Sequence, residues 1–444
     1  MADRLRVMVE IATERIPGRT LESRERLTLH VLSSQLRGIE LEYARPVPFR
    51  RLELDEGEPG HHLELYAGER VASRTATSRL YPAWLPIERS TELVHQVREV
   101  AGVRGVWAAP PISGVGVCLG SPAVGTADDA ARVLGVDELR RLGLTGEGTT
   151  VAVVDDGLNL RHLNAQGRHA VIDTRASFGP PENKRKPGEH PVGHGTMCAY
   201  AAGIAAADAT LGDCPVLLSN EPDLSGWLDD VVRVFTDLRG SKARRPSRPL
   251  IVTNSWAMID PSLDLPVGDE GNYSDNPNHP LHDLIRQMEA DGIDLLFAAG
   301  NCGRDCANPC HFGSDRPING ANSHPAALCV GAADVHGTRA GYSSVGPGRL
   351  AAQKPDVLGP AHFVGSGAKG AVDVGTSTAC PAVAGLVAAV RARLGSDVLP
   401  PAELREAIQR TATRTGVDHA PDMGWGVANG AALAAELAGA YSLV

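Results

Sequence analysis

The chain has 444 residues with 43 basic and 53 acidic side chains, a net charge of −10, which argues against nonspecific nucleic-acid binding and, more weakly, against docking on anionic membranes. The longest apolar run, "ACPAVAGLVAAV" at 379–390, is too short to span a bilayer, and "MADRLRVMVEIATERIPGRT" shows no apolar leader core, so a cytoplasmic protein is expected. With 43% hydrophobic and 22% charged residues, and eight cysteines too dispersed for a disulfide scaffold, the composition is that of a globular protein of two or three domains.

In "RLRVMVEI", Leu5, Val7, Val9 and Ile11 alternate with Arg4, Arg6, Met8 and Glu10, which predicts a strand with one buried face. A helix is expected around 21–37, then short strands in "GIELEY", "FRRLEL" and "HHLELY". "STELVHQVREV" at 90–100 places Leu93, Val94, Val97 and Val100 on one helical face, and "VRGVWAA" reads as a closing strand. Residues 1–110 therefore predict a small α+β domain with an antiparallel sheet. Residues 111–130, rich in Gly, Pro and Ala, read as a linker.

From 131 to 444 strands and helices alternate. "TTVAVV", "PLIVTNS", "IDLLFAAG" and "ALCVGAAD" are short continuous apolar strands, as in a sheet buried on both faces. "GWLDDVVRVFTDL" carries a helical stripe of Trp227, Leu228, Val231, Val232, Phe235 and Leu238. "PLHDLIRQMEADG" carries Leu281, Leu284, Ile285 and Met288, with Gly292 placed to end it. "ELREAIQRTA" is a late helix. The fold class is α/β, a parallel sheet flanked by helices, behind the small N-terminal α+β domain.

The unusual residues fall at strand ends, where open α/β sheets place function. "TVAVV" runs into Asp155 and Asp156, and "LLFAAG" runs into Asn301. "GHGTMCAYAAG" starts a helix at His194. "DVGTSTACPAVAG" opens another at Ser377, with Pro381 expected in its first turn. A serine hydroxyl attacks poorly until an imidazole takes its proton, and the imidazole needs a carboxylate to fix its tautomer. Each motif alone is weak. Together, in the chain order Asp, His, Ser, they point to nucleophilic acyl transfer.

At this point the sequence resembles the subtilisin-like serine proteases, family S8. "VAVVDDG" and "GHGTMCA" look like the aspartate and histidine blocks, nearest their kexin-like form, and "GTSTACPAVAG" looks like the serine block. "TNSWA", "FAAGN", "GYSSVGP" and "MGWGVANGAAL" resemble further landmarks, so the likeness covers about 131–440. It implies a serine endopeptidase acting on a protein or peptide. Ser377 is the implied nucleophile, His194 the general base and Asp155, preferred over Asp156, its orienting carboxylate. Asn301 and the Ser377 N–H would bind the oxyanion. Ser255, Trp256 and Ala257 would line one side of the substrate cleft, and Ala298, Ala299 and Gly300 the other. No cofactor or metal is expected, and the calcium-binding insertion of many relatives has no counterpart between "HGT" and "IAAADATL".

Where the family strand has Gly after Ser-x, this chain has Ala257-Met258, which would reshape the specificity pocket. Asp260 and Asp264 follow it, either as acidic pocket residues or as a solvated loop. The N-terminal domain reads either as propeptide-like, since "ELVHQVREVAGVRGVWAAPP" resembles a propeptide's end, or as an unrelated regulatory domain; it binds the catalytic cleft or a partner. An active intracellular serine endopeptidase is the leading reading, with a role dedicated to processing one protein or peptide weighed as a question of substrate breadth, and a catalytically silent scaffold on a protease fold is the alternative. The cluster "CGRDCANPCH", with Cys302, Cys306, Cys310 and His311, leaves three readings open: a structural zinc at unusual spacing, a local disulfide, or loop-packing thiols.

Overall fold

The structure, a computed structural model, describes residues 4–13, 24–50, 78–114, 121–219, 224–303, 305, 317–414, 416 and 418–441. Contacts divide the chain into two compact units, Met1–Pro110 with Ser262–Ala290, and Pro111–Pro261 with Asp291–Val444. Among the described residues no helix is long and apolar enough to cross a membrane.

The first unit contains β1 (Arg4–Ala12), α1 (Arg24–Gln35), β2 (Glu40–Leu41), β3 (Val47–Phe49), β4 (Ser78–Pro86), α2 (Ser90–Arg98) and β5 (Val103–Ala108). The strands form one antiparallel sheet in the order β2-β4-β1-β5, with β3 also on β4. "HHLELY" and the end of "FRRLEL" lie outside the described residues.

Two features differ from the sequence expectation. β1 is buried on both faces, because it is central and its polar residues are paired inside. Arg6 bonds Glu42 at 2.9 Å and lies over the Trp84 ring, while Glu10 accepts from Ser78 Oγ and Trp107 Nε1. β4 has no clear strand signature, since Pro82 sits inside it. Its carbonyl accepts from Glu42 N, so its missing N–H faces Glu42 just past β2, whose carbonyl accepts from Arg45 N instead.

The segment 262–290 completes this unit. Arg98 clasps Asp269 at 2.7 Å, and His279 Nε2 bonds the Ala108 carbonyl at 2.8 Å. Asp264 is buried and accepts from the backbone N–H groups of Leu265, Tyr273 and Ser274, so it organises its own loop.

The second unit runs through β6 (Pro111–Ser113), α3 (Ala127–Val133), α4 (Val136–Arg141), β7 (Thr150–Asp155), α5 (Leu160–Ala165), α6 (His194–Ala202), β8 (Thr210–Pro215), β9 (Ser225–Trp227), α7 (Leu228–Arg244) and β10 (Leu250–Asn254). With the Pro280–Ala290 helix of the first unit counted as α8, it continues through β11 (Asp294–Ala298), β12 (Leu328–Ala333), β13 (Val357–Pro360), α9 (Thr376–Arg391), α10 (Pro401–Thr411) and α11 (Gly430–Tyr441). Trp227, expected in a helix, ends β9 instead.

Six strands form a wholly parallel sheet in the order β13-β12-β11-β10-β7-β8. From β7 the chain steps to β8 on one side and later returns to β10 on the other. The carboxyl ends of β7 and β10 are therefore the switch point, where such sheets open a crevice. Every residue of α9 is buried. A Cβ on its Gly385 would lie 2.1 Å from the Ala202 carbonyl oxygen, so glycine there lets α9 pack directly onto α6. Pro381 is the sixth residue of α9, beyond the first turn expected for it, and so removes one helical hydrogen bond.

Arg391 in α9 and Asp294 in β11 form a buried two-pronged ion pair, both contacts at 2.7 Å. Removing one partner strands a charge in the core, so Arg391→Ala should cost about 3–5 kcal/mol of unfolding free energy in urea titrations. A loss below about 1 kcal/mol would contradict that account.

Candidate active site

Asp155 ends β7 and is fully buried. Its Oδ1 lies 2.7 Å from His194 Nδ1. A carboxylate only accepts, so Nδ1 carries the hydrogen and Nε2 is left to face a substrate. Burial alone would lower the His194 pKa, but the charge and hydrogen bond of Asp155 outweigh it and leave the pKa raised. Asp156 does different work. Its Oδ2 accepts from His194 N at 3.0 Å and its Oδ1 from Gly195 N at 2.6 Å, so it caps the first turn of α6. Burial, then the Asp155 charge, raises its pKa to about 6.

Ser377 is the second residue of α9 and is buried. Because Pro381 has no N–H, the Ser377 carbonyl accepts elsewhere, from Ser255 Oγ at 3.1 Å and Cys198 Sγ at 3.2 Å. The same thiol reaches Asp155 Oδ2 at 3.5 Å. Burial, then the Asp155 charge, drives the Cys198 pKa well up, so it stays a protonated donor. Among the described residues no hydrogen bond joins His194 Nε2 to Ser377 Oγ, whose contact is the Ser255 carbonyl at 3.5 Å. Such bonds are often long without substrate.

Asn301 follows β11. Its Oδ1 accepts from Thr376 N at 2.9 Å and Thr376 Oγ1 at 3.0 Å, which fixes the amide orientation. Gly375 has φ +87°, and a Cβ there would sit 3.1 Å from Asn301 Nδ2 and 3.5 Å from Ser377 N. Glycine thus keeps open a space flanked by two donors.

Of the expected cleft residues, Ser255 touches Ser377, and Ala257 exchanges two bonds with Ser113, at 2.9 and 3.0 Å. Trp256 is buried with its indole edge-on to Phe297. Ala298 ends β11, Ala299 N donates to the Val330 carbonyl, and Gly300 N donates to Thr376 Oγ1. Opposite Ala257, Pro111, Ile112 and Ser113 pair antiparallel with Trp227, Gly226 and Ser225, and Gly114 N donates to the Leu224 carbonyl. The chain's own residues 111–114 thus lie as a strand between β9 and 255–257. A Cβ on Gly114 would come within 3.8 Å of His194 Cε1.

Asp155, His194 and Cys198 offer ligand atoms within 4.8 Å of one another, the one such grouping among the described residues, and their mutual hydrogen bonds satisfy them. Cys302 is disulfide-bonded, so it supplies no thiolate for a zinc. Cys306, Cys310 and His311 lie outside the described residues. Sequence reasoning missed the Asp156 cap, the Thr376 clamp on Asn301 and the Cys198 contacts. The last had a signal, since Cys198 is four residues from His194 and so shares its helix face.

A parallel sheet with these groups at its switch point is the subtilisin-like architecture. The chain belongs to the subtilase family, whose model matches residues 146–426. It is 29% identical to subtilisin NAT of Bacillus subtilis subsp. natto over 63% of this chain and 64% of that protein. It is 27% identical to human membrane-bound transcription factor site-1 protease over 64% of this chain and 25% of that one. With serine protease AprX of Bacillus subtilis it shares 28% identity over 52% of this chain and 51% of the relative. Each match covers less than two thirds of the relative's own length.

The raised Asp156 pKa has a signed consequence. Folded protein keeps a proton that the unfolded chain releases, so the group's stabilisation is full below the unfolded value, roughly pH 4, and is lost as pH rises through about 6. Asp156→Ser leaves an oxygen for the amides and removes the titration. Urea unfolding at about pH 4.5 and 6.5 should show wild type losing more stability across the interval than the variant. Equal losses would contradict the assignment.

Proposed function

We propose that this chain is a serine endopeptidase. The observation that carries the reading is the buried Asp155–His194 pair at 2.7 Å, with Ser377 beginning the helix packed against the His194 helix. In this mechanism Ser377 Oγ attacks the scissile carbonyl while His194 Nε2 takes its proton. Asp155 holds the tautomer and stabilises the imidazolium. The carbonyl oxygen becomes an oxyanion in the space beside Gly375, where Asn301 Nδ2 and Ser377 N donate to it. His194 then protonates the leaving amine, and water, activated by the same imidazole, hydrolyses the acyl-enzyme.

The substrate is a protein or peptide that binds as an extended strand in the place now held by residues 111–114. Such binding uses main-chain hydrogen bonds on both sides, as β9 and Ala257 provide here. The full chain therefore carries its own occupant of the cleft, which favours restricted processing over broad degradation.

A fluorophosphonate probe should label wild type and not Ser377→Ala, and Asn301→Ala should lower turnover roughly 10²–10³-fold, a magnitude taken from subtilisin itself and so no derivation of this structure. Folded wild type that never labels would sink the proposal. Ser113→Pro deletes the N–H that bonds Ala257, so the variant should label and cleave peptides faster than wild type. An unchanged labelling rate would show that residues 111–114 do not restrain the cleft.

A further inference from the structure

β10 and β11 pair in parallel up to Asn254 and Phe297. Beyond that point they take different partners. Ala257 bonds Ser113, whereas Ala299 N turns to the Val330 carbonyl. Among the described residues the space between 255–257 and 298–300 is a closed crevice, bridged by a side chain.

Into it projects Asn322, from the short turn Gly320–Ser323. Its Nδ2 donates to the Trp256 carbonyl and to the Ala298 carbonyl, both at 2.8 Å. One amide group thus staples the two walls together and fills the space between them. Asn322 is only 2% exposed, and among the described residues its Oδ1 has no partner. The same is true of Asn319 Oδ1, Asn254 Oδ1 and Trp256 Nε1, all on the segments that form or support this crevice. Buried polar atoms are nearly always paired, so several unpaired ones at one crevice call for a ligand atom or water there.

The location ties this crevice to the chemistry. Ser255 touches Ser377 on one wall, and Gly300 leads directly into Asn301 on the other. A carbonyl held between Ser377 and Asn301 has the two walls on either side. The side chain next to that carbonyl, on its acyl side, has this crevice to enter. We infer that Asn322 is a specificity-determining residue: it forms the floor of the acyl-side pocket, makes it shallow and polar, and so selects substrates with a short side chain there, of the size of alanine, serine or threonine. The inference rests on the endopeptidase reading above and names its substrate class.

The test uses full-length wild type, Asn322→Ala and Asn322→Leu. Each is titrated with a fluorophosphonate probe, so that rates are expressed per active site. Each is then assayed on peptides differing only in the acyl-side residue: Ala, Ser, Thr, Leu and Phe. Wild type should show kcat/KM for Ala, Ser or Thr at least about tenfold above Phe, and Asn322→Ala should shift that ratio toward Phe by about tenfold or more, the scale of pocket-volume discrimination. Asn322→Leu refills the crevice without the staple and should keep the bias against Phe, which separates pocket volume from general disruption. A wild type that prefers Phe or Leu, or an Asn322→Ala profile matching wild type, would overturn the inference. Absence of labelling in every protein would instead overturn the endopeptidase reading, and this inference with it.

Discussion

The contact on which the site depends lies far from its chemistry. Gly385 in α9 and the Ala202 carbonyl in α6 approach so closely that no side chain fits between them. One of these helices begins at His194 and the other at Thr376-Ser377. Rigid helices in close contact transmit their relation along their length, so the packing that buries apolar surface also sets where imidazole and hydroxyl can meet. The near ends are tied again by Cys198, whose thiol reaches both the Ser377 carbonyl and Asp155. The bond that Pro381 removes from α9 is what frees that carbonyl.

A second constraint is polar. Asp155 and Asp156 are adjacent carboxylates in a buried place, and each is given separate donors. One faces the imidazole, the other the amides at the start of α6. Burial, and after it the charge of Asp155 alongside, drives the Asp156 pKa up to about 6. The arrangement orients both the ring and the backbone of a single histidine.

The parallel sheet was legible in the sequence because its strands are short, continuous apolar runs. The groups at its edge were legible because strand ends and helix starts are marked by Asp, His and Ser in a recognisable order. The strand Pro111–Ser113 was read within a linker from its Pro and Gly surroundings, since three residues carry no periodicity and the strand is made by partners distant in the chain. β1 looked one-sided because alternation reports polarity, not whether a polar group finds a partner inside. Asn322 carried no signal. Its role comes from two carbonyls brought together only by the splaying of β10 and β11. The packing of 262–290 with the first unit is likewise a tertiary fact, written in Arg98 and Asp269, which are far apart in sequence.

The strand at 111–114 has a thermodynamic consequence. In the proposed function it is covalently part of the chain whose cleft it occupies, so its competition with an incoming peptide would be set by an effective concentration, on the order of millimolar for short connections, and not by the amount of protein present. Dilution does not weaken such an occupant. A peptide of matching strand-forming affinity would have to approach that concentration to displace it, whereas one cut in the connecting backbone converts it to an ordinary, dissociable ligand.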